Sequence, residues 1–246
     1  MNRRSRSRGG LLTLGIAAPC VAMLLFVLAC DGRAAAPAAD PPADLPASGS
    51  AAATLQPSVS SADVCPGAGY LCADLDPAGG LVVRHWRDFD GTLVVHVPRP
   101  AFEAPGDAVR LQSAAAAGIR AWNGQPFPVR VDLRQQDGAH FTVRWTQSLG
   151  GSVVGTARTR WADGEGLTVL AIDLATRDPY RPGRGIDPDR VRLTAAHEMG
   201  HALGLPHSDS DRDVMFPMNS ASALSARDYR TMEAVYALPD GVRIVP

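Results

Sequence analysis

His197-Glu198-Met199-Gly200-His201-Ala202-Leu203-Gly204-Leu205-Pro206-His207 is the stretch that organises the rest of the chain. His197 and His201 are four residues apart, just over one helical turn, so on a helix both imidazoles leave the same face, one above the other. That separation suits two nitrogens meeting one ion. The apolar stripe of the same helix is Val191, Ala195, Met199 and Ala202, on a different side. One face therefore packs and the other is left for ligands. Gly204 lies further along the His197 face and can adopt the left-handed conformation that ends a helix. Pro206 stiffens the returning chain, which delivers His207 as a third nitrogen. Three imidazoles plus one open position is the arrangement of a catalytic zinc ion. Glu198 is then placed to hold water at that ion and accept its proton.

Working upstream, Asp187 reads as an N-cap with Pro188 at the first helical position, so the helix runs to about Leu203. Before it, Thr92 to Val97, Val129 to Leu133, Phe141 to Trp145, Val153 to Trp161 and Leu167 to Leu174 read as five strands. Asp107 reads as the cap of a helix reaching about Asn123, with Leu111, Ala115, Ile119 and Trp122 on its apolar stripe. Downstream, Ser225 and Asp228 have capping-box spacing and Leu224 and Tyr229 that of a hydrophobic staple. The closing helix is expected to bury Tyr229, Met232, Val235 and Tyr236. The fold class predicted is α+β: a five-stranded sheet with an active-site helix and a C-terminal helix.

The chain has 246 residues, with 46% apolar and 20% charged, ordinary values for a folded protein. Lys and Arg total 24 against 25 Asp and Glu, a net charge of −1. That balance argues against a nucleic-acid partner or a polybasic membrane surface. Residues 1–30 carry Arg3, Arg4, Arg6 and Arg8 ahead of an apolar run from Leu11 to Ala29, the layout of an export signal. The run ends Val27-Leu28-Ala29-Cys30, which resembles a bacterial lipoprotein box. Cys30 is then the lipidated residue, and a membrane is met only through that anchor. An uncleaved anchor is the rival reading. The location expected is the bacterial cell envelope, or secretion. Residues 31–64 are rich in Ala, Pro and Ser and read as a mobile tether. The folded domain is expected over 65–246, as a monomer. In an exported protein Cys65 and Cys72 pair by default as a short-loop disulfide.

His197 to Ser208 has the spacing H-E-x-x-H-x-x-G-x-x-H, which resembles the metzincin signature and, with Ser after the third His, its matrixin branch. Asp213-Val214-Met215-Phe216-Pro217 resembles the matrixin Met-turn. The resemblance implies a twisted mixed sheet with one antiparallel edge strand beside the cleft, and places Met215 beneath a single catalytic Zn2+. It implies an edge at Val154, Gly155, Thr156 and Ala157 on which a polypeptide substrate adds as a strand. It also implies a primed-side wall at Phe216, Pro217, Met218 and Asn219. The activity implied is that of a zinc-dependent metalloendopeptidase, hydrolysing peptide bonds by a zinc-bound water with Glu198 as general base. The alternative is a non-enzymic, lipid-tethered zinc- or peptide-binding module derived from a peptidase.

There are departures from the family pattern. No pro-domain with the cysteine-switch motif is recognisable. His85, His96, His140 and Asp137 read as non-ligands, so a second, structural zinc is not expected. Asp163, Glu165, Asp173, Asp178, Asp187 and Asp189 offer oxygens for Ca2+, but without regular ligand spacing they read first as a solvated acidic loop.

Overall fold

The computed structural model describes residues 57–218 and 220–246. The export signal, Cys30 and most of the tether, together with Asn219, lie outside the described residues. In chain order the elements are β1 Ser58–Ser60, α1 Ser61–Val64, β2 Leu81–Val82, β3 Leu93–His96, α2 Pro105–Arg120, β4 Val129–Asp132, β5 Phe141–Thr146, β6 Gly155–Ala162, β7 Gly166–Ala175, α3 Pro188–Ala202, α4 Ala226–Ala237 and β8 Arg243–Val245.

Five strands form one mixed sheet in the order β4-β3-β5-β7-β6. The pairings β3–β4, β3–β5 and β5–β7 are parallel, and β6 runs antiparallel to β7 at one edge. Every residue of β3 is buried, as expected of a short apolar run in a parallel strand covered on both faces. β6 is the opposite case. It alternates half-buried and exposed residues at its start and then becomes mostly exposed. One edge of β6 is paired with β7, and among the described residues no strand pairs with the other.

α2 and α3 pack against each other at unusually short range. A Cβ on Gly118 of α2 would lie 2.9 Å from the Ala196 nitrogen and 3.0 Å from the Ala195 Cβ of α3. Only glycine permits that approach. Trp122, fully buried, closes the junction by donating its indole N–H to the Ala196 carbonyl at 2.8 Å. The main core joins these helices to the sheet through Leu93, Val95, Ile119, Val143, Ile172, Leu174, Met199 and Met215.

A second, three-stranded sheet has the order β1-β8-β2, with β1 parallel and β2 antiparallel to β8. It brings the start of the described chain onto its last residues over a small core of Ala68, Leu71, Val83, Val235, Val242 and Ile244. The Cys65–Cys72 disulfide lies at this core's margin.

Four expectations need correction. The tether predicted through Val64 does not extend that far, since residues 58–64 are strand and helix. The N-cap of α2 is Ala104, with Pro105 opening the helix; Asp107 sits in its first turn and pairs with Arg110. Proline's fixed φ sets the start there, overriding the capping preference of Asp. The edge strand begins at Gly155 and not at Val153. Tyr229 is exposed and only flanks Trp122, with ring centroids 6.4 Å apart, whereas Met232 and Val235 are buried.

Candidate metal centre and active site

The site is built on α3. Its start is the capped one read from the sequence: the Asp187 side chain accepts the Asp189 N–H at 2.8 Å, with Pro188 in the first turn. Its end is a two-bond glycine stop. Gly204 has φ +98° and donates to the His201 carbonyl at 3.0 Å, while Leu205 donates to the Gly200 carbonyl at 3.0 Å. A side chain at Gly204 would also run into the Arg84 carbonyl. This reversal returns the chain so that His207 faces His197 and His201.

The three imidazoles converge. The Nε2 atoms of His201 and His197 are 3.1 Å apart, and those of His201 and His207 are 3.2 Å apart. The other nitrogens of two of these rings are fixed by the backbone. His197 Nδ1 lies 2.8 Å from the Val214 carbonyl and His201 Nδ1 2.9 Å from the Leu205 carbonyl. A carbonyl only accepts, so each Nδ1 carries the proton and each Nε2 presents a lone pair. Burial, followed by the neighbouring imidazole, pushes His201 down to about 3, and burial lowers His197 as well. His197 and His201 are therefore neutral at pH 7. The Nε2 lone pairs of His197 and His201 face each other at 3.1 Å and repel unless a cation lies between them. Nitrogens held 2.0–2.1 Å from a tetrahedral zinc ion are about 3.3 Å apart, close to the observed spacing. The donor set thus fits zinc, with an all-imidazole face and an open fourth side. Among the described residues, His197, His201 and His207 form the one group of three or more His, Cys, Asp or Glu able to share an ion.

Glu198 sits next to the triad and is buried. Its Oε2 accepts the backbone N–H of Ala157 on β6 at 2.7 Å. Burial raises its carboxyl to about 7, with the Ala157 N–H pulling the other way. The helix and the edge strand meet here because Gly155 has no side chain. A Cβ there would fall 2.8 Å from Glu198 Cγ and Oε1, and nearer still to Thr194 Cγ2. Gly155 is also where β6 begins.

Met215 is completely buried under the triad helix, against Gly200. Its carbonyl accepts the Ser208 N–H at 2.9 Å, tying this turn to the residue after His207. Two buried carboxylates hold the turn. Asp228 accepts from the Val214 N–H at 3.1 Å, the Ser225 N–H at 2.7 Å and the Tyr70 hydroxyl at 2.7 Å. Asp213 accepts from the Ser208 hydroxyl, the Ser225 hydroxyl at 2.6 Å and Arg227 at 2.9 Å. Burial, and then the charge of Asp228, raise the Tyr70 phenol far above its ordinary range, so it stays a donor.

A cleft of about 390 Å³ runs across the triad. The predicted edge residues Val154, Gly155, Thr156 and Ala157 line it, as do Pro217 and Met218. Phe216 does not; it turns half inward. Three lining residues, Ser152, Tyr180 and Arg190, were not singled out from the sequence. Arg190 lies seven residues before His197 on α3, a spacing that could have flagged it; Tyr180 comes from a Pro/Gly-rich loop whose path no local pattern gives. Of the acidic residues considered for calcium, Asp173 has both oxygens engaged by guanidinium groups, those of Arg144 and Arg158, each at 2.7 Å.

The fold thus brings together an antiparallel edge strand beside a cleft, three convergent imidazoles that could hold a metal ion, and a buried carboxylate. The comparisons agree on the branch. Residues 134–237 match the matrixin family model, so this part of the chain is matrixin-like. It is similar to macrophage metalloelastase of Oryctolagus cuniculus, with 39% identity over 59 residues, 22% of this chain and 13% of that protein. It is also similar to matrilysin of Felis catus, with 32% identity over 93 residues, 36% of this chain and 28% of that protein. The chain thus spans less than a third of the length of each of these two relatives. The family match begins after β4, so β3, α2 and the three-stranded sheet lie largely outside it.

Proposed function

We propose that this protein is a zinc-dependent metalloendopeptidase that works outside the cytoplasm. The observation that carries this is the meeting of three Nε2 atoms beside the buried carboxylate of Glu198. A zinc ion held by His197, His201 and His207 would supply Lewis-acid activation of water and of a substrate carbonyl.

The chain's own residues do the rest. An extended polypeptide adds to the exposed edge of β6 by backbone hydrogen bonds, which orients its scissile bond across the cleft. The Ala157 N–H is not one of those bonds, because Glu198 Oε2 already occupies it. That contact holds one carboxylate oxygen still and leaves Oε1 as the proton carrier. Glu198 takes a proton from the attacking water and later passes it to the leaving amine. A group whose pKa lies near the working pH can do both. The Val214 and Leu205 carbonyls keep the His197 and His201 rings in the tautomer that offers Nε2.

Export, and lipidation at Cys30, belong to the same proposal and rest on residues 1–30 of the sequence. No helix among the described residues is long and apolar enough to cross a membrane. The test is cleavage of casein or gelatin by the purified protein, with metal content measured by mass spectrometry and Glu198→Ala as control. Chelator-sensitive cleavage, lost in the variant while the metal is retained, is expected. Equal cleavage by the variant would defeat the mechanism.

A further inference from the structure

Beyond the triad and Glu198, the lining of the cleft contains one ionic side chain, Arg190. It stands on α3 two turns before Glu198, about 12 Å away along the helix axis. Elsewhere in the protein buried carboxylates hold their guanidinium partners by short hydrogen bonds: Arg144 and Arg158 on Asp173 at 2.7 Å, Arg227 on Asp213 at 2.9 Å. Arg190 is held differently. Its guanidinium lies over the Tyr180 ring, 5.1 Å from the centroid, and its nearest carboxylate oxygen, Asp178 Oδ1, is 3.7 Å away. That is beyond hydrogen-bonding distance. The same Asp178 oxygen already accepts the Tyr180 N–H at 2.9 Å.

Arg190 shares the cleft with apolar, open side chains. Val153, Tyr180 and Met218 are 45%, 61% and 72% exposed and all line the cleft. A group bound in this cleft would have both apolar surface and a planar fork of N–H donors within the lining. That is the match for a carboxylate on a short stem, which accepts two parallel hydrogen bonds from a guanidinium. The distance from Glu198 keeps the two anions apart.

We propose that this end of the cleft receives a substrate carboxylate, with Arg190 as the residue that selects it. The inference rests on the peptidase reading above and narrows it to a substrate class. The carboxylate comes either from an acidic side chain near the scissile bond or from the free C-terminus of a peptide cut a few residues from its end.

The test uses the full-length protein and peptide pairs that differ only by Glu against Gln at each position flanking the cut, every peptide made with a free and an amidated C-terminus. The ratio of kcat/KM within each pair is read. A charge-assisted pair gives a preference of about tenfold or more for the carboxylate member. An advantage at one side-chain position identifies an acidic residue, and one confined to free C-termini identifies a terminal carboxylate. In Arg190→Leu the ratio falls towards one; Arg190→Lys, which keeps the charge but not the fork, retains part of it. Binding of the same peptides to the full-length Glu198→Ala protein, read by fluorescence polarisation, follows the same order. Ratios near one throughout for the unmodified protein overturn the inference, as does a carboxylate preference that survives in Arg190→Leu. Carboxylate-selective binding that depends on Arg190, with no peptide cleaved, supports the inference and sinks the peptidase reading. Neither cleavage nor selective binding overturns both.

Discussion

Gly200→Ala tests the packing beneath the triad. Gly200 lies on the turn of α3 between His197 and His201, and a methyl group there would come 3.1 Å from Met215 Cε and 3.2 Å from Trp122 Cζ2, with Met215 Sδ closer than either. Comfortable carbon contacts are about 3.5–4.0 Å. Met215 and Trp122 are both wholly buried, so neither can swing into solvent. Overpacking by one methyl costs about 1–3 kcal/mol, and replacing a helical glycine by alanine returns about 1 kcal/mol. A net loss of up to about 2 kcal/mol is therefore expected. Met215→Ala alone removes a buried side chain and costs about 2–5 kcal/mol. In the double variant the new methyl occupies space vacated by Met215, so the two costs fall short of their sum by about 1 kcal/mol or more. The assay is urea unfolding followed by tryptophan fluorescence, with chelator present so that metal binding does not add its own stabilisation. Gly200→Ala more stable than the parent, or costs additive to within about 0.5 kcal/mol, would refute this account of the site's floor.

Asp228→Ala should destabilise by about 3 kcal/mol or more, because it strands three donors, from Tyr70, Val214 and Ser225, in a buried place; chemical denaturation measures it, and Tyr70→Phe, which removes one donor alone, should cost much less. Asp173→Asn should cost on the order of 1–2 kcal/mol at pH 7, a modest figure because both arginines are half exposed. Burial alone would raise Asp173, but hydrogen bonds and charge from Arg144 and Arg158 outweigh it and hold its pKa below the usual carboxylate value. A depressed native pKa gives stability that is present above the unfolded value and lost as pH falls through the native one. The parent should therefore lose more stability than Asp173→Asn between about pH 4 and pH 2, and parallel curves of melting temperature against pH would contradict this. Removing metal with a chelator should lower the melting temperature, and zinc should restore it, in the parent but not in His201→Ala; restoration in that variant would place the ion elsewhere.

Much of the site could be read because its determinants are local. Asp187-Pro188 at one end of α3 and Gly204 at the other act within a few residues, and the His spacing acts within a single turn. The five main strands were legible for the same reason, since each is an apolar or alternating run bounded by turn residues. The three-stranded sheet was not. Its members are two or three residues long, below any periodicity, and they pair across most of the chain, Ser58 with Arg243. Nor were the positioning carboxylates. Asp228 shows in sequence as the third residue of a capping box, which it is. Its hydrogen bond to Tyr70 spans 158 residues and has no local signature. Tyr229 failed as a buried residue because staple spacing says which residues are neighbours, not which of them faces solvent.

These long-range bonds explain how a two-helix-turn motif becomes a rigid centre. His197 Nδ1 is oriented by the Val214 carbonyl, and the Val214 N–H is held by Asp228, which is capped from the other side by Tyr70. The segment around Tyr70 is pinned in turn by the Tyr70 N–H to Thr231 Oγ1 bond at 3.0 Å and by the disulfide that brackets it. One continuous chain of contacts thus runs from the Cys65–Cys72 loop, through α4, to an imidazole of the triad. Ligand rings held this way need no reorganisation when a cation arrives, and outer partners of this kind set metal affinity and ring orientation. The segment before β3 lies outside the matrixin match, yet it buttresses the turn beneath the site. A domain trimmed to the matched residues 134–237 would lose Tyr70, Trp122 and β3 together, and with them the floor on which the triad stands.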